Sequence, residues 1–349
     1  MLKKIGVLGL IHDHVWQHIA EMAERHDVTI SAADPNQPLL DKAGETFGVE
    51  SLYDDYSRLM EKETPDAVLI FVDNAGSASL VELAASYGVP MMVEKPMADS
   101  LANAERMRVA AVNAGVSLMI NWPTAWQPAI HNAIELAQDG AVGDVYRFSF
   151  RGGHRGPKEY GCSPYFFGWL YDRERNGAGA YNDYCGYGAS MARLLCGMPS
   201  RVSATIGHLV KPDIAVDDNA ALTLRYQHAI AVIESTWSAS GPVPDGGPTI
   251  WGRGGTLTVQ RDSGRREGDV CGEGVIRLTS DDDPDGRFIE PPDLPEGERT
   301  AVQYFLNRLS HDLPIDGLVS MEVGRDTQEI LEAGLLSERD GRVISLPLT

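Results

Sequence analysis

Cysteine is scarce in this chain: there are four in 349 residues, Cys162, Cys185, Cys196 and Cys271, and no CxxC pair. That argues against a disulfide scaffold or a structural zinc motif and points to a reduced, cytoplasmic setting. Basic charge is also short, with 30 Lys and Arg against 50 Asp and Glu and a net charge of -20. Such a surface repels phosphate backbones and anionic lipid, so neither nucleic acid nor a membrane is expected as a partner. No apolar run approaches the ~20 residues that span a bilayer. The opening Met1 to Lys4 and the apolar stretch behind it superficially look like a secretion signal. That stretch contains Gly6 and Gly9 and lacks a small-residue cleavage site, so it reads as a first buried strand. Internal repeats and low-complexity segments are absent too.

What is present is ample core material, 43% apolar residues, in a chain long enough for two domains. Up to about residue 120, short β-rich runs alternate with helical segments. Strands are expected at Ile5 to Leu10, Val28 to Ala33, Ala67 to Val72, Pro90 to Val93 and Val116 to Ile120. Strand and helix in turn imply right-handed crossovers and a doubly wound parallel sheet, an α/β Rossmann domain over residues 1–122. Asn121-Trp122-Pro123 breaks that rhythm. Residues 123–349 then show longer runs of alternating polarity, among them Tyr146 to Arg151, Val202 to His208, Ala220 to Tyr226 and Ala229 to Trp237. These predict an α+β domain with a large, mostly antiparallel open sheet. A helix is expected over Gly188 to Cys196, a surface loop over Asp281 to Glu298, two helices near 299–311 and 320–337, and a last strand over Val343 to Leu348.

Gly9 follows the first strand, and Asp34 closes the second, where an acid accepts hydrogen bonds from a ribose diol. Pro35, Asn36 and Gln37 offer no arginine for a 2'-phosphate, which favours NAD over NADP. The phosphate turn is Gly9, Leu10, Ile11, His12, Asp13 and His14, so the second and third glycines of GxGxxG are replaced by Ile11 and His14. A β-carbon at the second position obstructs backbone approach to a pyrophosphate. The positive end of the following helix still suits phosphate, with His12 and His14 beside it. His12, His14 and His18 raise the alternative of a metal site. The sequence shows no carboxylate or thiolate partner near them, and no metal is expected.

Two motifs carry chemistry. Glu94-Lys95-Pro96 ends an apolar strand, at the edge where open α/β sheets bind ligands. About eighty residues later comes Gly177-Ala178-Gly179-Ala180-Tyr181-Asn182-Asp183-Tyr184-Cys185-Gly186-Tyr187. With Gly9, Asp34 and the ending Gly341 to Leu348, these residues make the chain resemble the glucose-fructose oxidoreductase / inositol dehydrogenase / MocA family from end to end. The resemblance implies an NAD(P)-binding Rossmann domain, a C-terminal domain whose open sheet often meets a partner subunit, and oxidation or reduction of sugars, cyclitols and related polyols. A homodimer or homotetramer follows from the same likeness. It places the family's catalytic lysine at Lys95 and its aspartate at Asp183. The family's usual histidine falls at Tyr187, as in members that carry tyrosine there. Asn74, Glu94 and Lys95 are implied cofactor contacts. The chain departs from the family at Val72-Asp73-Asn74-Ala75-Gly76-Ser77, where Thr-Pro-Asn-x-x-His is usual, and at Ala125-Trp126, where Arg-Phe is usual.

Hydride leaves a carbinol carbon only if a base takes the hydroxyl proton and a cation steadies the oxygen. Tyr187 is the expected acceptor, with Lys95 lowering its pKa and Asp183 binding a substrate hydroxyl. Nine aromatics lie between Tyr160 and Tyr187, and such faces pack against sugar C–H surfaces. Trp122, Trp126, His154 and Trp169 are the candidate substrate contacts, with Arg155 and Lys158 suited to a carboxylate. Cys162 and Cys185 have no paired histidine and read as packing. Two other readings stand beside the dehydrogenase: a lyase or epimerase that retains its nucleotide for transient oxidation, and a non-enzymatic nucleotide-binding sensor.

Overall fold

A computed structural model describes residues 3–260 and 274–348. Cys271 lies outside them. The first part of the chain runs β1 (Lys3–Leu8), α1 (Val15–Ala23), β2 (Val28–Ala33), α2 (Gln37–Phe47), β3 (Ser51–Tyr53), α3 (Tyr56–Glu63), β4 (Ala67–Ile70), α4 (Ser77–Ser86), β5 (Met91–Glu94), α5 (Leu101–Ala114) and β6 (Leu118–Asn121). Its six strands pair in parallel in the order β3-β2-β1-β4-β5-β6. That order reverses direction at β1, and ligands bind beyond the strand ends at such a switch point. β4, β5 and β6 are buried at every position, as strands covered on both faces must be. β1 stops at Leu8, two residues before the expected end, because Gly9 turns the backbone to φ 92. β3 and α3 were not expected. Three half-buried residues give no periodic signal, although Asp55 caps α3 through the Arg58 N–H.

The chain continues through a 3-10 turn (Pro123–Trp126), α6 (Pro128–Gln138), β7 (Val145–Gly153), α7 (Pro157–Tyr160), α8 (Pro164–Leu170), α9 (Arg173–Asn176), a π-helical turn (Tyr181–Cys185) and α10 (Gly186–Cys196). β8 (Arg201–Gly207), β9 (Asn219–Arg225), β10 (Ile230–Thr236), β11 (Gly247–Gly252), β12 (Gly255–Gln260), β13 (Val275–Thr279) and β14 (Arg287–Ile289) follow. Last come α11 (Ala301–Ser310), α12 (Met321–Asp340) and β15 (Ile344–Ser345). The second sheet has nine strands in the order β14-β13-β12-β11-β7-β10-β9-β8-β15, antiparallel except for the β7–β10 pair. β10 alternates buried with half-buried positions, as a strand with one covered face does. α10 packs on β7 and β10, and α12 lies among α5, α10 and β8.

Several sequence expectations need correction. β14 falls inside the stretch 281–298 read as a loop, because Arg287–Ile289 finds the open edge of β13. The final strand shrinks to Ile344–Ser345, with Pro347 offering no N–H to continue it. β11 and β13, and the helical run from α7 to the π turn, were also unforeseen. Among the described residues no helix is long and apolar enough to cross a membrane.

Two contacts generate tests. The Tyr181 hydroxyl donates to the Leu331 carbonyl of α12 at 2.9 Å, and it fits only because Gly334 has no side chain; a Cβ there would fall 1.8 Å from the hydroxyl oxygen. Gly334→Ala should destabilise the protein by about 1–3 kcal/mol, as overpacking does, and should cost less in a Tyr181→Phe background; denaturant midpoints of the four proteins read this coupling. His18 on α1 lies against Phe71 and Asn121 with Glu94 and His14 nearby. Burial, opposed by Glu94 and aided by His14, lowers its pKa to about 4. The unfolded chain therefore binds a proton near pH 6.5 that the folded one refuses until about pH 4. Stability should fall as pH drops through that window, by on the order of 3 kcal/mol from this residue, and urea titrations of His18→Gln should show a shallower loss.

Candidate active site

Lys95 leaves the carboxyl end of β5 nearly buried, with a relative exposure of 6%. Its Nζ lies 2.5 Å from Asp183 Oδ1. Asp183 sits on the π turn, and the surrounding sequence fixes that turn firmly. Asp217 accepts from the Gly179 N–H at 2.6 Å and the Tyr181 N–H at 2.8 Å, tying the β8–β9 connection to the turn. Gly179 is obligatory there, since a Cβ would stand 2.0 Å from the Asp217 carbonyl oxygen. The second Asp183 oxygen accepts from Trp237 Nε1 at 2.9 Å, just past β10. Both carboxylate oxygens are therefore held in place. Tyr187, one turn further on, places its ring under Lys95, 4.7 Å from Nζ to the ring centroid.

The electrostatics follow from burial and pairing. Burial opposes charge on Asp183, but Lys95, then His154 and the Trp237 N–H, hold its carboxyl below the usual range. Burial likewise opposes charge on Lys95, yet Asp183 and Glu94 carry its ammonium above the ordinary value. Tyr187 behaves differently from the sequence expectation. Burial pushes its phenol well above 10, and Asp183 and Glu94 push in the same direction. Lys95 neutralises Asp183 and meets the face of the Tyr187 ring, so Tyr187 is held as a phenol and not drawn toward phenolate.

Glu94 belongs to a second group at the same edge. Its Oε1 lies 3.1 Å from His14 Nδ1, and its Oε2 accepts from Asn121 Nδ2 at 2.8 Å. His14, joined by Lys95 and His18, holds the Glu94 carboxyl low against the opposing effect of burial. His12 is buried against Phe166 at 4.3 Å and Trp169 at 5.7 Å between ring centres. His12, His14 and Glu94 each offer a ligating atom, all within 4.8 Å of one another. The carboxylate partner that the sequence did not reveal is thus Glu94, brought from β5 to the turn after β1.

The four candidate substrate contacts separate. His154 stacks on Tyr160 and Trp237 at the end of β7, and its Nδ1 accepts from the Gly156 N–H at 2.9 Å. Trp122 is fully buried, edge-on to Tyr187 at 5.6 Å, and so backs the site instead of lining it. Trp169 is 1% exposed and covers His12. Trp126 donates to Asn121 Oδ1 at 2.9 Å and lines a different cavity with Tyr304 and Leu318, one that Lys95, Asp183 and Tyr187 do not border.

In the turn after β1, Gly9 is sterically required. A Cβ would fall 2.9 Å from the Phe71 carbonyl and 2.4 Å from Val72. The amino end of α1 has no side-chain cap, which suits an anion. Asp34 is fully buried, and its oxygens accept from Leu10 N at 2.6 Å, Asn36 N at 2.8 Å and Asn36 Nδ2 at 2.7 Å. It ties the phosphate turn to the end of β2, with one of its about four acceptor positions left over. Ile11 is half-buried against the core at the second glycine position. Asn74 donates to Asn176 Oδ1 at 2.7 Å. Ser163 on Asp13 and Arg175 on Asp73 complete a seam that lays the α8–α9 segment across this edge. Trp237, Asp217, Asn121 and Asn176 were missed from sequence; only the Asp217-Asp218 pair at a strand start hinted at a turn cap.

Residues 3–122 match the model of an oxidoreductase family with an NAD-binding Rossmann fold, and residues 130–258 match a GFO/IDH/MocA C-terminal domain. D-apiose dehydrogenase of Paraburkholderia graminis is 31% identical over 67% of this chain and 59% of its own length, so the match leaves much of that protein uncovered. A second D-apiose dehydrogenase, from Rhizobium rhizogenes, is 28% identical over 73% of this chain and 71% of its own. Among solved structures, aldose-aldose oxidoreductase of Caulobacter crescentus superposes with a TM-score of 0.80 at 23% identity, over 99% of this chain and 100% of its own. The WlbA dehydrogenase of Bordetella pertussis gives 0.81 at 22% over the whole of both chains. Likeness at that identity shows the fold, while the two sequence matches, which share one lineage and abut at the sheet boundary, carry the assignment: the chain belongs to the Gfo/Idh/MocA oxidoreductase family.

Proposed function

We propose that this protein is an NAD-dependent oxidoreductase that moves hydride between nicotinamide and a carbinol carbon of a sugar, cyclitol or related polyol. The observation that carries the reading is the largely buried Lys95–Asp183 pair, held by Trp237 at the carboxyl edge of the parallel sheet. Sugar dehydrogenases among the relatives support the substrate class. The nucleotide half is residues 1–122 and the substrate half residues 123–349, with the open face of the second sheet joining copies as a dimer or tetramer. The free thiols Cys162, Cys185 and Cys196 suit a reducing cytoplasm.

Gly9, Leu10 and Asp34 would hold the adenosine side of the dinucleotide, the amino end of α1 with His14 its phosphates, and Glu94 and Lys95 the region of the redox ring. When bound, the nicotinamide supplies or accepts the hydride. Lys95, kept charged, steadies the oxyanion of the reacting carbon. Asp183, kept ionised, accepts a hydrogen bond from a neighbouring hydroxyl. Tyr187, kept protonated, serves as the proton donor in carbonyl reduction, the direction for which its resting form is ready.

One observation favours the retained-nucleotide alternative. The seam of Ser163–Asp13, Arg175–Asp73 and Asn74–Asn176 closes over the nucleotide edge and would slow exchange. A panel of polyols and keto-sugars assayed by nicotinamide absorbance and by product analysis separates the two; rearranged sugar without net NADH identifies the alternative.

Lys95→Met should lower kcat by about 100-fold or more and cost about 3–5 kcal/mol of stability, because Asp183 is left buried and unpaired. In Lys95→Met/Asp183→Asn the stability should recover while turnover does not, and urea melts beside steady-state kinetics would show whether the two effects separate. Tyr187→Phe should slow carbonyl reduction by about 100-fold with NADH affinity unchanged in a fluorescence titration; full turnover in that variant removes Tyr187 from the chemistry.

A further inference from the structure

The phosphate turn departs from the family pattern in a specific way. The second fingerprint glycine, which lets a pyrophosphate approach, is replaced by Ile11, and the third, which lets the helix pack on the strand, by His14, with a second imidazole, His12, between them. Folding brings one carboxylate to these rings. His14 Nδ1 and Glu94 Oε1 are 3.1 Å apart, and a usable atom of His12 lies within 4.8 Å of both. Neighbouring ligands on a metal with bonds of about 2.1 Å stand about 3–3.5 Å apart, so the His14–Glu94 spacing already fits and the His12 ring needs only a modest inward swing.

From this arrangement we infer that His12, His14 and Glu94 form a binding site for one divalent transition-metal ion of the zinc class, with two imidazole nitrogens and one carboxylate oxygen as ligands. The choice of ion follows from the donors, since imidazole with carboxylate suits zinc, cobalt, iron and manganese more than calcium or magnesium. Three protein ligands leave at least one position open, the pattern of a site that takes water or a ligand oxygen.

The surroundings are built for this role. Asn121 holds the other Glu94 oxygen at 2.8 Å and is itself held by Trp126 at 2.9 Å. Metal-binding carboxylates are oriented by outer hydrogen bonds of this kind. Phe166 and Trp169 fix one side of the His12 ring. The His14 side chain is 33% exposed, which provides an entry path. Asp13 is committed to Ser163, and His18 faces Asn121, so neither belongs to the ligand set. Charge also favours a dication. Lys95 is paired with Asp183, and the Glu94 carboxylate faces His14 as its ion-pair partner. An ion here would offer an anionic oxygen an attraction at a turn where the Ile11 β-carbon obstructs close approach to the backbone.

The test uses full-length, tag-free protein stripped with a chelator and titrated with Co2+ and Zn2+ in the absence of nucleotide and sugar, so its outcome is independent of the dehydrogenase reading. The expected result is one ion per chain by plasma mass spectrometry, visible d–d absorption of the cobalt form, at least tenfold weaker binding in His14→Ala, and no stoichiometric uptake in His12→Ala/His14→Ala. If the double variant is misfolded by circular dichroism, Glu94→Gln takes its place, with at least tenfold weakening expected. Absence of stoichiometric uptake by the wild-type protein, or uptake unchanged in the variants, overturns the site.

Discussion

A buried ammonium and a largely buried carboxylate, contributed by the two sheets' separate neighbourhoods, meet at 2.5 Å, and the arrangement of the site depends on that meeting. Either charge alone would be expensive to withdraw from water, and the pair is worthwhile only when its remaining hydrogen-bonding capacity is also met. Trp237 meets it for Asp183, and the π turn that presents Asp183 is itself held by Asp217. The pair thus acts as a joint between halves as well as a charged centre. It also sets the protonation of its neighbours: with Lys95 committed to Asp183, Tyr187 feels burial and negative charge and stays a phenol.

Much of this architecture was legible in the sequence. Five of the six parallel strands were, because a doubly covered strand must be apolar throughout, as in Ala67–Ile70 and Met91–Glu94. β3 was not, because three half-buried residues carry no such signature. β13 and β14 depend on pairing with strands already in place, a long-range effect that local pattern does not encode. Lys95, Asp183 and Tyr187 stood out through their motifs, and they do converge. Their protonation did not stand out, since it depends on which group Lys95 faces. Trp237 and Asp217 are remote in the chain from Lys95 and have ordinary local contexts, so only the fold reveals them.

The phosphate turn illustrates a different limit. Replacement of its glycines reads from sequence as damage, because the obstruction of a β-carbon is local and certain. The compensation is not local. Glu94 arrives from the fifth strand, Asn121 from the sixth, and Phe166 from a helix beyond the second sheet's first strand. The same residues therefore look like loss in one dimension and like assembly in three.

β7 and β10 are parallel neighbours in an otherwise antiparallel sheet, and everything between Gly153 and Ile230 is the excursion that joins them. Asp183 and Tyr187 ride on that excursion, while His154 and Trp237 mark where it leaves β7 and where β10 ends. That side of the site thus belongs to one excursion between two neighbouring strands, and Lys95 follows a strand of the other sheet. Changes confined to α7, α8 and α9 would leave the strand that presents Lys95 untouched, whereas β8 and β9, in the same excursion, are built into the sheet.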